Sequence, residues 1–190
     1  AYLYQGEELG LPEVIDLPDD ARQDPTWERS GRTRYGRDGC RIPLPWTVEG
    51  ASAGFSTSDV GAGGEPGADS GRSWLPQPEG WGGFARQAQE GVPGSTLELY
   101  KQLLRIRAER GLGDASLSWL PSQENVLSAR CGSVVAHANL GGEAVELPGH
   151  DRVLVASSPG ALDASGRLLP DAAVWLEDLS AALSPAASRP

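Results

Sequence analysis

Arginine is concentrated in one short stretch of this chain, residues 29–46, which read RSGRTRYGRDGCRIPLPW. The formal net charge of the whole chain is −10, yet five arginines lie here within 13 positions: Arg29, Arg32, Arg34, Arg37 and Arg41. Asp38 can hold one guanidinium group while another donates hydrogen bonds to the hydroxyl or carboxylate groups of a ligand. The residue types alone also allow a plainer interpretation, a salt-bridged surface loop.

A long helix is predicted beyond this stretch, over residues 95–110, STLELYKQLLRIRAER. Ser95 and Glu98 have the spacing of a capping box, and apolar residues recur along one side of the helix. Gly111 follows where a helix end favours a residue that tolerates positive φ. A shorter helix is expected at about 82–90, GGFARQAQE.

After Gly113 the pattern changes to short runs of β-branched and apolar residues separated by turn residues. Short strands at such spacing predict a small antiparallel sheet or sandwich. His137 is interpreted as a sheet residue, His150 as a turn residue and 179–190 as a disordered tail. Six runs are expected to be strands: SLSWL, NVLSARC, SVVAHANL, EAVELP, RVLVASS and AAVWLED.

The first four residues, AYLY, have the composition of a buried strand, and the polar segment Gln5–Glu8 follows them. Residues 50–72 consist almost entirely of turn-forming residues and are predicted to form a solvated surface loop. A strand, a long loop and a helix make one βα unit, which cannot bury both faces of its strand alone. Because the chain also contains no methionine, we expect it to be a fragment of a longer protein.

Composition argues against several classes of partner. No run approaches the 18 apolar residues of a membrane-spanning helix. An excess of negative charge disfavours nucleic acids and anionic membranes. Cys40 and Cys131 lie far apart without a CxxC or histidine-rich neighbourhood, so we expect reduced thiols, no zinc site and a cytoplasmic location. No cofactor is predicted.

Several segments, in this order along the chain, resemble glycoside hydrolase family 13 in its α-glucosidase and oligo-1,6-glucosidase branch: YLYQGEELGL, RQDP, GRDGCRIPLPW, SWLP and STLELYKQLLRIR. In that family the eighth strand of a (β/α)8 barrel ends in a Tyr-Gln-Gly-Glu-Glu-like segment. The loop after it carries the signature Arg-Asp-x-x-Arg-x-Pro-x-x-Trp, matched here by Arg37, Asp38, Arg41, Pro43 and Trp46.

The resemblance implies a fold of the α/β plus all-β type. Residues 1–112 would be the last βα unit of the catalytic TIM barrel, with strand eight, a long substrate-side loop and the final helix. Residues 113–178 would form a small antiparallel β-sandwich C-terminal domain.

The activity implied is retaining hydrolysis of α-glucosidic bonds at the non-reducing end of short oligosaccharides of the maltose, isomaltose or sucrose type. In the family, the catalytic carboxylates follow strands four, five and seven, which would precede residue 1. No catalytic residue is therefore assigned, and the chain alone is expected to be inactive. Glu7 and Glu8 are not assigned catalysis either, because adjacent residues at a strand end point in opposite directions.

By resemblance, one arginine of the motif holds the non-reducing-end glucose, and Arg37 and Arg41 are both candidates. The other arginine is expected to pair with Asp38 or with Glu7 and Glu8. Tyr35 is a candidate for stacking on a sugar face, and Trp46 is interpreted as a packing residue.

Two alternatives remain open at this point. A transglycosylating or isomerising relative, similar to sucrose isomerases, would share the same motifs. A non-catalytic carbohydrate-binding remnant is less favoured, because such modules expose a coplanar set of aromatic residues and the β region contains only Trp119 and Trp175. The oligomeric state is not predicted.

Overall fold

The computed structural model describes residues 2–55, 73–147 and 152–178. Most of the predicted loop 50–72, as well as His150 and the predicted tail 179–190, lie outside these residues. The chain divides into two compact units, Ala1–Glu98 and Leu99–Pro190. In the described parts of the chain, no helix is long and apolar enough to cross a membrane.

The first unit is built mainly from loops and single helical turns. Its α-helices are short, α1 at Pro25–Arg29 and α2 at Arg86–Gln89. Single 3-10 turns lie at Glu7–Leu9, Asp19–Ala21, Asp38–Cys40, Ala51–Gly54 and Trp81–Phe84. A small apolar core holds these turns together and consists of Leu17, Ile42, Leu75 and Trp81. The short helix predicted at about 82–90 corresponds to the last 3-10 turn and α2.

The strand expected at residues 1–4 is not present in the described residues, because residues 2–4 form no strand. A strand needs a neighbour to accept and donate its backbone hydrogen bonds. Instead, Glu7–Leu9 folds back as a 3-10 turn, with the Glu7 N–H donating to the Tyr4 carbonyl at 3.1 Å. Glu7 and Glu8 therefore lie in a helical turn rather than at the end of a strand.

The long helix, α3, spans Thr96–Glu109, close to the predicted range. One half of the predicted capping box is formed, since Ser95 Oγ accepts the Glu98 N–H at 3.3 Å. The Glu98 carboxylate accepts the N–H of Gly91 at 2.9 Å. At the other end Gly111 has φ +61, and the backbone N–H of Leu112 donates to the Arg107 carbonyl at 3.0 Å. This pattern is a Schellman C-cap, which Gly111 makes possible.

The second unit contains a five-stranded antiparallel sheet, which confirms the predicted antiparallel pairing. Its strands are β1 Leu117–Trp119, β2 Val126–Cys131, β3 Val134–Asn139, β4 Arg152–Ala156 and β5 Ala172–Glu177. Their order in the sheet is β1-β2-β3-β5-β4. The buried face of β5 carries Ala172, Val174 and Leu176, against which Ala161 and Leu168 pack.

The described strands form one sheet rather than the two of a sandwich. The sixth predicted strand, EAVELP, is reduced to a single bridge between Val145 and Leu168. Irregular segments pack on the β5 face instead, because glycine and proline interrupt both runs of sequence beside this bridge. His137 is a buried residue of β3, as predicted, and its Nδ1 lies 2.8 Å from Ser128 Oγ on β2.

Candidate functional site

Asp24 begins helix α1 and is almost completely buried, with 2% of its surface exposed. Its Oδ1 accepts the backbone N–H of Thr26 at 2.8 Å, which is the usual N-cap interaction of an aspartate. Pro25 occupies the first helical position, where its missing N–H costs nothing. The sequence Asp-Pro-Thr therefore fixes the position of a buried carboxylate.

Asp38 and Asp24 each bind the backbone of the other's segment. Asp38 is fully buried, and its Oδ2 accepts the N–H groups of Gln23 and Asp24, both at 2.8 Å. In return, Asp24 Oδ2 accepts the N–H of Arg37 at 3.2 Å. These three hydrogen bonds join segments that are about 14 positions apart in the sequence.

Two glycines allow the segments to approach this closely. Gly36 has φ +71, and a Cβ added to it would lie 2.6 Å from both Cβ and Cγ of Asp24. A Cβ on Gly39 would lie 2.4 Å from the carbonyl oxygen of Val14. Because real Cβ atoms do not approach neighbours so closely, only glycine is accommodated without a backbone shift.

Arg41 and Arg37 both face Asp24. Arg41 Nη1 lies 3.3 Å from Asp24 Oδ2 and 4.0 Å from Asp38 Oδ1, and 38% of the side chain is exposed. Arg37 Nε lies 3.6 Å from Asp24 Oδ2, with 74% of the side chain exposed. Among the described residues these are the only side-chain polar contacts of either arginine.

The environment of Asp24 favours its charged form. Hydrogen bonds from the backbone N–H and the hydroxyl group of Thr26 are the main cause that lowers its pKa to about 2, and the Arg37 N–H and the Arg41 charge lower it further. Asp24 is therefore a carboxylate at neutral pH. The other buried aspartate, Asp38, leaves its Oδ1 without a hydrogen bond among the described residues.

The ring of Tyr35 is held from one side and half exposed on the other. It stacks on Trp27 with ring centroids 5.7 Å apart, and the Arg22 guanidinium carbon lies 4.1 Å from the Tyr35 ring centroid. Arg22 is fixed in turn, because its Nη2 donates to the carbonyls of Ile15 at 2.7 Å and Leu17 at 2.9 Å. A fixed, partly exposed aromatic ring can stack on the apolar face of a ligand.

Glu7 and Glu8 are not brought to the arginines. The carboxylate of Glu7 accepts the N–H of Tyr4, and that of Glu8 accepts the N–H of Gly6 at 2.9 Å. Both side chains thus bind the backbone of their own turn, and neither forms an ion pair with Arg37 or Arg41. Glu7 lines a cavity of about 100 Å³, which is well below the roughly 300 Å³ at which ligand pockets begin.

Two other predicted residues lie beside the cluster. Cys40 ends the 3-10 turn Asp38–Cys40, is exposed and has a free thiol, whose Sγ lies 3.1 Å from the Arg37 carbonyl. Trp46, expected to pack, is nearly half exposed. In the described ranges no group of three or more His, Cys, Asp or Glu side chains is arranged to hold a metal ion.

The structure therefore brings Arg37, Asp38 and Arg41 together. It also adds Asp24 and Arg22, which the sequence interpretation did not select. The signal for Asp24 was available in the helix-start pattern Asp-Pro-Thr, which begins at the third residue of RQDP. Nothing in the sequence indicated that Arg22 would lie on Tyr35, because that contact depends on tertiary packing.

Comparison with known proteins gives similarity to α-glucosidases. No family model matches the chain. It is 31% identical over 138 residues to a probable α-glucosidase of Rhizobium meliloti (strain 1021), covering 72% of this chain and 22% of the relative. It is 28% identical over 155 residues to a salivary α-glucosidase of Aedes aegypti, covering 77% of this chain and 24% of the relative. The chain thus spans about a quarter of the length of these relatives.

The chain is also similar to solved structures. The crystal structure of the α-glucosyl transfer enzyme XgtA matches with a TM-score of 0.69 and 31% identity, over 92% of this chain and 32% of that one. A MUTB mutant, from crystals soaked with trehalulose, matches with a TM-score of 0.70 and 21% identity, over 93% of this chain and 35% of that one. The segment matched is consistent with a C-terminal portion of such enzymes. The comparisons thus bear out the resemblance to glycoside hydrolase family 13, since over most of its length the chain is similar to α-glucosidases and to an α-glucosyl transfer enzyme.

Proposed function

We propose that this chain is the C-terminal part of a retaining α-glucosidase that removes glucose from the non-reducing end of short oligosaccharides. The named relatives support this proposal, because α-glucosidases and a glucosyl transfer enzyme are both among them. Retaining glycosidases use two carboxyl groups about 5–5.5 Å apart. We assign both groups to the part of the enzyme that lies outside this chain.

The chain's own contribution is recognition of the sugar, and Arg41 carries this proposal. Two buried carboxylates face its Nη1 atom, while the side chain keeps 38% of its surface exposed. A guanidinium group that is anchored on one side loses little further entropy when it binds a ligand on the other. Arg41 is therefore well suited to donate hydrogen bonds to the hydroxyl groups of glucose.

Arg37 is the weaker candidate for this role. Its side chain is about twice as exposed as that of Arg41 and makes one ion pair, at 3.6 Å. Exposed ion pairs contribute little and are screened by salt. We assign Arg37 to closing the loop through its backbone N–H, which Asp24 accepts.

Tyr35 is proposed to stack on a sugar ring at the edge of the same site. Its exposed ring face is kept in one orientation by Trp27 and Arg22. Aromatic side chains bind the apolar faces of ligands while their hydroxyl groups stay in water. Glu7 and Glu8 keep a structural role at the Tyr4–Gly6 backbone.

We also propose that residues 1–112 are the last βα unit of a TIM barrel and that 113–178 are the C-terminal domain. The exposure of Tyr2, Leu3 and Tyr4 supports the first assignment, because three successive apolar or aromatic side chains in water need a cover. Barrel active sites lie at the C-terminal ends of the strands, where the loop 29–46 would then belong. A cytoplasmic location is proposed on the two free thiols.

The first experiment is to read the coding DNA upstream of Ala1 and to assay the complete product. We expect it to encode the missing carboxylates and the product to hydrolyse p-nitrophenyl α-glucoside. The 190-residue chain, purified alone, should show no turnover. Hydrolysis by the isolated chain would contradict the proposal, as would a complete product that contains both carboxylates and binds no glucoside.

A second experiment tests Arg41 within the complete enzyme. Arg41→Ala should lower kcat/KM for maltose about 100-fold, because a hydrogen bond between a charged group and substrate contributes about 1.5–3 kcal/mol. Arg37→Ala should lower it less than about fivefold. Arg167→Ala, in the sheet-containing unit, is the matched control and should leave kcat/KM unchanged. An unchanged kcat/KM in Arg41→Ala would remove the recognition role.

A transglycosylating or isomerising enzyme is the second candidate, favoured by the similarity to a glucosyl transfer enzyme at 31% identity. Product analysis separates the two. Glucose as the main product from sucrose or maltose indicates hydrolysis, whereas new disaccharides at high substrate concentration indicate transfer.

A further inference from the structure

Asp24 lies between the backbone of one loop segment and the guanidinium groups of another. Its Oδ1 binds the N–H of Thr26 at 2.8 Å. Its Oδ2 binds the N–H of Arg37 at 3.2 Å and lies 3.3 Å from Arg41 Nη1. Both carboxylate oxygens of Asp24 are thus held by donors, and these donors come from two different segments.

We propose that Asp24 is a positioning residue, which holds Arg41 in the orientation that binds the sugar. This inference rests on the proposed function, since it concerns the same arginine. Asp24 does not touch the substrate in this proposal. It acts through Arg41 alone.

The geometry gives Arg41 two fixed oxygens on its protein side. Nη1 lies 3.3 Å from Asp24 Oδ2 and 4.0 Å from Asp38 Oδ1. Asp38 Oδ1 is buried and has no hydrogen-bond partner among the described residues, so Arg41 Nη1 is the nearest cation for it. The two carboxylates therefore hold Arg41 through Nη1. The other N–H groups of the guanidinium remain able to donate to a ligand on the exposed side.

The anchor is also rigid in the backbone. Asp38 Oδ2 accepts two N–H groups at 2.8 Å, one of which belongs to Asp24 itself. Gly36 lies against the Asp24 side chain, so closely that a Cβ added to it would lie 2.6 Å from both Cβ and Cγ of Asp24. The carboxylate remains charged at neutral and mildly acidic pH, because its pKa is lowered to about 2 by the Thr26 hydrogen bonds, with smaller contributions from Arg37 and Arg41.

Asp24→Asn in the complete enzyme tests the proposal while the N-cap of α1 is kept. Asparagine caps helices about as well as aspartate, so the bond to Thr26 remains, whereas the charge that faces Arg41 and the acceptor of the Arg37 N–H are lost. We expect kcat/KM to fall about ten- to a hundredfold, mainly through KM, because a charge-assisted contact holding the binding arginine is lost. Asp24→Glu should not rescue it, because the longer side chain would displace the carboxylate from the N–H groups of Thr26 and Arg37.

A double-mutant cycle separates positioning from general destabilisation. In the Arg41→Ala background, Asp24→Asn should lower kcat/KM by less than about twofold, because there is no arginine left to position. An equal loss in both backgrounds would overturn the inference. Asp163→Asn is the matched control, since it also removes a carboxylate that binds backbone N–H groups and an arginine, and it should leave KM unchanged.

The outcomes also separate this inference from the proposed function. No effect of Arg41→Ala would overturn the sugar-binding role, whereas an effect of Arg41→Ala without one of Asp24→Asn would overturn only the positioning role. Should both Asp24→Asn and Asp24→Ser fail to fold, nitrogen-15 relaxation in the 190-residue chain decides. The guanidinium group of Arg41 should then rotate more slowly than that of Arg86, which forms an exposed i,i+4 pair with Glu90. Equal rotation of the two guanidinium groups would overturn the inference.

Discussion

The two units each contain an aspartate that binds both backbone N–H groups and an arginine, but the two clusters differ in reach. Asp163 accepts the N–H groups of Ser165 at 2.8 Å and Arg167 at 3.0 Å, and its Oδ2 accepts Arg167 Nε at 2.9 Å. All its partners lie within four positions. Asp24 instead binds Thr26 beside it and the segment of Arg37 and Arg41, up to 17 positions away.

This difference concerns how many guanidinium N–H groups the aspartate occupies with short hydrogen bonds. Nε and Nη2 of Arg167 both bind Asp163 Oδ2, at 2.9 and 2.8 Å. This pair therefore stabilises only the local turn of residues 163–167. At Asp24 the backbone N–H groups do most of the binding, and the guanidinium groups contribute only longer contacts at 3.3 and 3.6 Å. The long-range cluster thus fixes two segments without occupying Arg37 and Arg41 in short hydrogen bonds.

The largest contrast between the units is expected in hydrogen exchange of the isolated chain. Amides in the ladder of β2, β3 and β5 should exchange at least about 100-fold more slowly than amides in residues 2–55, because the latter are held mainly by single turns. Mass spectrometry of peptic fragments measures both regions in one experiment. Uniform protection would show that the comparison is wrong.

Truncation of each core tests whether both units rest on apolar packing. Leu168→Ala and Leu75→Ala remove side chains that are at most 1% exposed, so each should lower the free energy of unfolding by about 2–5 kcal/mol. Urea denaturation followed by circular dichroism measures the change. Leu140→Ala and Val92→Ala, both at exposed positions, should change it by less than about 0.5 kcal/mol.

Gly36→Ala tests the close approach of two segments at the Asp24 cluster. The added Cβ would lie 2.6 Å from Cβ and Cγ of Asp24, and the alanine would have to adopt a positive φ. We therefore expect a loss of about 2–3 kcal/mol in the free energy of unfolding. Gly83→Ala is the control, because no atom lies within 4 Å of its added Cβ. Equal stability of the two variants in urea would contradict the described packing.

The smallest expected effect is on acid stability. The pKa of Asp24 is lowered from 3.8 to about 2, so its ionised form stabilises the folded chain above pH of about 4, and this stabilisation is lost as pH falls towards 2. The pKa of Asp163 is also lowered, mainly by the Arg167 N–H. Asp24→Asn should therefore reduce, but not abolish, the fall in the free energy of unfolding between about pH 4 and pH 2, because Asp163 still contributes to it. A slope unchanged from that of the parent chain would contradict the lowered pKa.

Features that depend on neighbours in sequence were predictable. Helix α3 carries its own cap at Ser95 and its own terminating residue, Gly111, so the range found differs by one residue at each end. Five of the six strands predicted after Gly113 formed, because alternation within a run already defines which face is buried. Arg37, Asp38 and Arg41 came together because they lie on one helical turn and its flanks.

Features that depend on distant partners were not predictable from the residues. Residues 2–4 form no strand, since strand formation requires a second strand to pair with. EAVELP has the composition of a strand, but among the described residues its backbone pairing is limited to one bridge, between Val145 and Leu168. The role of Asp24 depends on a partner 17 positions away, and the attachment of Glu7 and Glu8 to their own turn follows from a backbone that the strand hypothesis did not include.

The position of Cys40 gives the protein a built-in site for chemical labelling. Its thiol is exposed, whereas Cys131 is partly buried and lies 3.6 Å from the Leu112 carbonyl, so the two should differ in their rates of reaction with a maleimide. A fluorophore at Cys40 would sit in the turn between Arg37 and Arg41 without any engineered cysteine. The emission of that fluorophore would report changes at this loop, including the sugar binding proposed for Arg41.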